Sequence, residues 1–487
     1  MISINDTVKK FDRPVTVLQY GEGNFLRAFV DFFIDIANEK ELFNGSVQII
    51  KPIAAGSLDA LKAQDCVYTV MLRGKKDGAT HVEKRVVTSV AGATDPFTNY
   101  NEYASFAKSP ELKLIISNTT EAGIVFDESD DFSLNPPKSY PGKLTKFLFE
   151  RYKHFDGASD KGLVILPVEL IENNGSELLS CCQKLVKLWD LPADFSDWLN
   201  NANTFCDTLV DRIVTGYPAD EIETLENELG YKDAGLVVGE PFALWVIESA
   251  NPEEASKALP LDKAGLPVIF TKDHKPYKER KVRVLNGAHT SSVLAAYLSG
   301  LDTVGDMMKD ETMRAFLNTT VYNEIVPMVP LPEDDVKAFA DSVMERFENP
   351  FIKHSLLAIS LNSVSKFKAR ILPTILDTYS KNGSLPTNLC FSLAALMAFY
   401  SGEKGDGKLV GNRDGSSYDI VDDVSVMEFF AASKEKPVQE FVTKFLSRED
   451  FWGKDLTEIP GLVDKVSESL KSIRENGMRD AVKTLLS

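Results

Sequence analysis

The chain has 487 residues, room for about two or three domains, and 44% of them are hydrophobic and 26% charged, ordinary values for a soluble globular protein. Its net charge of −18 argues against a nucleic-acid partner, because a phosphate backbone repels a surface of its own sign. No apolar run approaches the roughly 18 to 20 residues that span a bilayer, so no membrane partner is expected either.

The N-terminal "MISINDTVKKFDRP" lacks the apolar core of a signal peptide. The five cysteines (66, 181, 182, 206 and 390) show no CxxC spacing; free thiols in a reducing cytoplasm are the expectation. The five histidines form no HxH or HExxH cluster, so no metal site is predicted.

Strand-like runs follow at 14–20, 46–53, 66–74, 83–90, 112–120 and 162–170, with helix-like segments at 24–40, 99–108, 141–153 and 175–190. Strands separated by helical crossovers predict a parallel sheet covered on both faces. Residues 231–248 add a strand, and the proline-bearing 251–268 reads as a link. From about residue 280 apolar residues recur at helical spacing and alternating strands are absent. The expected organisation is an α/β domain over 1–265 and a mainly α-helical one over 266–487. The Gly- and Asp-rich stretch 402–419 reads as a long surface loop, which leaves open whether it closes over a site.

The first strand runs into "YGEGNFLRA". In a dinucleotide fold the glycines of such a turn permit tight geometry and close approach to pyrophosphate, and the following helix aims free N–H groups at that charge. Gly21 and Gly23 suit these roles. Leu26 stands where a third glycine is usual, Asn24 is placed to cap the helix, and Arg27 is within reach of a phosphate from the first turn. A plain turn is the competing reading. The second strand ends in "QIIKPIAAG", with no acid for a ribose 2′-hydroxyl; Lys51 there tolerates a 2′-phosphate, so NAD and NADP both stay open.

"KVRVLNGAHTSSVLAAYL" (281–298) carries Lys281, Asn286 and His289. On an α-helical wheel Asn286 and His289 lie about 140° and 80° from Lys281, all on one broad face. A desolvated lysine serves as acid or base at a carbinol. Asn286 supplies a donor to the reacting oxygen, and His289 holds a hydroxyl or orients the lysine. Gly287 costs the helix about 1 kcal/mol against alanine, which suggests close approach by a ligand or by backbone. The bland alternative is a solvated lysine after "KERK" and an ordinary buried histidine.

Together, "GEGNFLRA" and "KVRVLNGAH" resemble the GxGxFxRA and KxxxxNGxH patterns of the polyol-specific long-chain dehydrogenases, the mannitol dehydrogenase family. The resemblance continues through "SNTTEAGI" (117–124), "NNG" (173–175), "LVDRI" (209–213) and "EPFALWVIE" (240–248). It implies an α/β Rossmann-type N-terminal domain, a mainly α-helical C-terminal domain, NAD as cofactor and no catalytic metal. It also implies that Lys281 is the general acid/base, with Asn286 and His289 beside the carbonyl. Phe25, Thr119 and Glu121 join Gly21, Gly23, Asn24 and Arg27 at the cofactor. The fuller forms of the motifs are most similar to the branch of the family that acts on hexuronates. Mannitol-specific members carry a carbonyl-polarising asparagine at the position of Leu170, so mannitol is disfavoured here. Asp211 matches a family acid near the substrate, or is a structural partner of Arg212.

A uronate carboxylate requires a cation. "NSVSKFKAR" (362–370) offers Lys366 and Arg370, four apart and able to share one helical face, against the alternative of a solvated basic face. A small-molecule uronate or polyol is thus the expected partner, with oligomeric state open. The other readings are a sibling enzyme for fructuronate, mannitol or a sugar-alcohol phosphate, and a dinucleotide-binding regulator without catalysis.

Overall fold

In the computed structural model, which describes residues 1–487, the first strand Val15–Tyr20 (β1) lies at the centre of a six-stranded sheet. The other strands are Ser46–Ile50 (β2), Val90–Thr94 (β3), Leu114–Ser117 (β4), Val164–Pro167 (β5) and Thr204–Phe205 (β6). Their order is β3-β2-β1-β4-β5-β6 and every pairing is parallel. β1, β2 and β4 are apolar and almost wholly buried, as strands covered on both faces must be. One face packs Phe29, Phe33 and Trp245, and the other Tyr103, Phe147 and Leu178. The order reverses between β1 and β4, and the crevice beyond their carboxyl ends is where such sheets bind dinucleotides.

Contacts divide the chain into two units, Met1–Gly74 with Thr80–His274, and Lys75–Ala79 with Lys275–Ser487. The runs at 66–74 and 83–90 are not crossover strands. They form Tyr68–Lys76 and Ala79–Val87, neighbours in a separate four-stranded sheet, joined through Asp77 and Gly78, both at positive φ. The segment read as a link is folded: Pro252–Ala258 is helical, Leu259, Leu261 and Ala264 are buried, and Val268–Thr271 pairs in parallel with Leu244–Glu248.

The second unit is mainly helical, centred on Thr387–Phe399, which is buried on all sides between Gly287–Leu298 and Leu462–Asn476. The stretch 402–419 is not a loop. Glu403–Lys404, Leu409–Arg413 and Ser416–Ile420 form an antiparallel sheet. Asp414 and Gly415 take positive φ at its tip, the demand of a two-residue hairpin turn. Arg413 ties this sheet to Asp302 and to the Tyr297 and Leu301 carbonyls. That anchors it at the far end of the helix bearing Lys281, about 24 Å along the axis. All five cysteines are free and buried, and no helix is long and apolar enough to cross a membrane.

Candidate functional site

The turn after β1 is built from two glycines with different reasons. Gly21 has φ +131, and a Cβ there would lie 2.9 Å from Leu26 Cδ1 and 3.1 Å from the Asn118 carbonyl oxygen. The fold itself therefore requires glycine, by conformation and by the closeness of β1 to the end of β4. Gly23 has ordinary φ, −65, and a Cβ would meet nothing within 4 Å. It is the N-cap of a helix running from Asn24–Leu26 through a π-turn, Arg27–Asp31, into Phe32–Glu39, and no side chain caps it. An uncapped helix N-terminus beside open space at the switch point fits a pyrophosphate.

Asn24 and Arg27 act differently from the sequence expectation. Asn24 is the first helical residue, not the cap, and its side-chain oxygen accepts from Arg27 Nη2 at 2.6 Å. Arg27 also donates to the Glu22 and Gly235 carbonyls and lies over the Tyr68 ring. Its guanidinium braces the turn rather than reaching out for a phosphate. Phe25 is half-buried and stacks on Phe29. Lys51 is buried and ion-paired with Asp95 at 3.0 Å. A cation already matched in this way gives little reason for a 2′-phosphate, which favours NAD.

At the end of β4, Thr119 donates its N–H and its hydroxyl to Glu169 Oε1, both at 2.9 Å. Glu169 is buried after β5, and burial raises its pKa against these hydrogen bonds. Thr120 follows at φ +78, a rare conformation for a β-branched residue and costly by about 1–3 kcal/mol. Gly123 is obligatory, since a Cβ would overlap Thr119 Oγ1 at 2.0 Å. Glu121 is exposed. Beside these residues lies a cavity of about 650 Å³ whose lining includes Pro52, Ile53, Thr119, Val125 and Tyr140. It opens at the ends of β2 and β4, where the adenosine half of a dinucleotide belongs. The residues present thus fit NAD. Glu169 was missed by sequence reasoning because a lone acid after a strand carries no signal.

"NNG" has a structural explanation. Asn174 is buried, and its amide donates to the Pro167, Glu169 and Thr208 carbonyls. Gly175 lies where a Cβ would strike the Cys206 carbonyl oxygen at 2.2 Å. Leu170 is 64% exposed. Asp211 is buried at the end of the strand Asp207–Asp211. Arg212 directs its donors to the carbonyls of Ala28, Pro241 and Phe242 and lies over three phenylalanine rings.

In the second unit one long helix carries the other motif: Lys275–Arg280, a π-turn Lys281–Asn286, then Gly287–Leu298. The π-turn corrects the wheel. Hydrogen bonding from i to i+5 draws Lys281 and Asn286, five apart, toward one line. Both are half-buried. Gly287 is less constrained than expected, because a Cβ would rest 3.5 Å from Ile371 Cδ1 and 3.6 Å from the Arg370 carbonyl oxygen, ordinary contacts.

His289 is sandwiched. Its ring stacks on Phe347 at 4.2 Å and meets His354 edge-on at 5.3 Å. Its buried Nε2 has no hydrogen-bond partner within the protein, which leaves that nitrogen open to a hydroxyl donor. Burial, then the charges of His354, Arg346, Arg370 and Lys366, pushes its pKa down to about 3. The ring is therefore neutral at ordinary pH. Arg370 donates to Thr290 Oγ1 at 3.3 Å, and Lys366 to the Ile359 carbonyl at 2.9 Å. Burial lowers the pKa of both, with Arg370 acting further on Lys366. Lys366 and Arg370 thus come together with His289, and Arg346 joins them from the helix Glu333–Phe347. Arg346 and His354 were not singled out in the sequence, since nothing local links them to residue 289.

The mannitol dehydrogenase Rossmann-domain family model matches residues 15–261, and that of the mannitol dehydrogenase C-terminal domain matches 273–474. An altronate oxidoreductase of Yersinia enterocolitica is 46% identical over 476 residues, 96% of each chain. One of Escherichia coli (strain K12) is 45% identical over 479 residues, 97% of each. Among solved structures, a D-sorbitol dehydrogenase in substrate-free form matches with TM-score 0.79 at 20% identity, over 99% of this chain and 96% of that one. Pseudomonas fluorescens mannitol 2-dehydrogenase, in ternary complex with NAD and D-mannitol, gives 0.62 at 24%, over 98% and 95%. At those identities the likeness is one of fold.

Proposed function

The chain belongs to the mannitol dehydrogenase family, and on that footing we propose that it is an NAD-dependent oxidoreductase that interconverts D-tagaturonate and D-altronate. Bound NADH supplies the hydride to the ketone carbon. Lys281 gives its ammonium proton to the carbonyl oxygen in reduction and takes it back from the alcohol in oxidation. Asn286 donates an amide N–H to the same oxygen, where negative charge develops. His289, neutral, uses its orphan Nε2 to hold a neighbouring hydroxyl. Lys366 and Arg370 clamp the carboxylate, and Asp211 adds a further substrate contact.

On this reading residues 1–265 bind the dinucleotide and 266–487 hold the substrate. Gly21 and Gly23, with Phe25, Thr119 and Glu121, cradle the cofactor, and Asn24 and Arg27 keep the turn in shape. The cytoplasm is the proposed location. What supports a uronate over a neutral polyol is the placing of Lys366 and Arg370 beside one uncharged imidazole, two cations suited to a carboxylate. NADH oxidation followed at 340 nm with tagaturonate, fructuronate, fructose and mannitol's other keto relatives tests this. The expected result is the highest kcat/KM for tagaturonate; a preference for an uncharged ketose would overturn it.

A further inference from the structure

The helix Ser363–Arg370, which carries Lys366 and Arg370, has no cap of its own. Its N-cap residue, Asn362, is left-handed at φ 53 and its side chain makes no capping bond. The first-turn amides are instead met from far along the chain. Ser363 N–H donates to the Tyr400 hydroxyl at 2.9 Å, and Val364 N–H to Asp422 Oδ2 at 3.2 Å. The Tyr400 hydroxyl in turn donates to Asp422 Oδ2 at 2.6 Å, and Asp422 Oδ1 accepts from Asp423 N–H at 2.8 Å. Tyr400 and Asp422 are both buried, and the Tyr400 ring is held against Phe399 and Phe430. Asn362 N–H also bonds the Val421 carbonyl, so the segment bearing the aspartate is itself stitched to the helix start.

We propose that Tyr400 and Asp422 are positioning residues for substrate affinity: they cap the helix that presents Lys366 and Arg370 and so hold both cations in register for a carboxylate. The inference rests on the uronate reading above. A carboxylate at a helix N-terminus stabilises that helix by charge as well as by hydrogen bonding. Asp422 also favours the charged form of Lys366, against burial and the neighbouring Arg370. The pair's hydroxyl and carboxylate are engaged at the helix start, so its effect falls on KM and not on chemistry.

The test uses the full chain with Asp422→Ala and Tyr400→Phe. Steady-state kinetics with tagaturonate should show KM raised about 5- to 10-fold, the size expected for a lost cap, with kcat within twofold and NADH affinity unchanged. Hydrogen–deuterium exchange should be faster at the amides of 363 and 364 in both variants. An unchanged KM, or kcat falling while KM holds, would overturn the proposal. Should Asp422→Ala not fold, Tyr400→Phe, which deletes a single oxygen, decides the matter alone. Failure of the uronate reading is separately visible, as absence of tagaturonate turnover in the wild-type protein.

Discussion

Gly23→Ala separates a glycine required by a ligand from one required by the fold. At φ −65 alanine is unstrained, and its Cβ meets no protein atom within 4 Å. Two small effects act on stability: reduced freedom of the unfolded chain adds about 0.4–1 kcal/mol, and alanine is a poorer N-cap than glycine by roughly as much. They nearly cancel, so the melting temperature should move by no more than about 2–3 °C. The added methyl does occupy the space through which a pyrophosphate approaches the helix N-terminus. NADH affinity should therefore fall at least about tenfold, about 1.4 kcal/mol. Gly21→Ala should lose both, because its Cβ meets Leu26 and the Asn118 carbonyl at a φ of +131. Thermal unfolding with NADH fluorescence titration measures both quantities. Wild-type NADH affinity in Gly23→Ala would refute the cradle.

The pKa of His289, about 3 against the usual 6.5, means that the folded state resists a proton the unfolded chain accepts. Stability is then full above pH 6.5 and falls by up to a few kcal/mol toward pH 3; His289→Asn should flatten that limb of a melting-temperature profile, and superimposable profiles would contradict the assignment. Asp31 has the opposite sign. It is fully buried, Tyr68 donates to it at 2.7 Å, and burial raises its pKa to about 7. Stability is therefore lost as pH rises from about 4 through 7, and the stability of Asp31→Asn relative to wild type should rise by a few kcal/mol between pH 4 and 8; a constant difference in denaturant melts would sink this. Lys366→Ala and Arg370→Ala should each raise KM for tagaturonate about tenfold or more, the cost of a charged hydrogen bond, with little effect on NADH binding; unchanged KM in both would remove the clamp.

The parallel sheet is legible in the sequence because buried strands such as Val15–Tyr20 are continuous apolar runs and their crossovers carry a different period. The sheet at 403–420 is not. Its inward positions include Gly411, where a Cβ would enter the Tyr418 ring at 2.2 Å, so the alternation that marks a strand is broken by the residue the packing demands. Residue chemistry likewise places Lys281, Asn286 and His289 on one helix, but a π-turn has no composition of its own, and the narrower face it makes is visible only in the backbone. Arg27 and Lys51 show the other limit: a cation near a phosphate site reads as a ligand until Gly235, Asn24 and Asp95 are seen to occupy it. Arg346 and His354 reach His289 from separate elements, a tertiary fact with no local trace.

Proton transfer by the residue-281 amine is best examined by replacing that lysine with alanine and following one turnover of pre-bound NADH with tagaturonate in a stopped-flow fluorimeter. The account predicts unchanged NADH affinity with a reduction rate lowered by at least about 100-fold, within the usual contribution of a general acid, and partly restored by added small amines. A variant that oxidises NADH at the wild-type rate would contradict it.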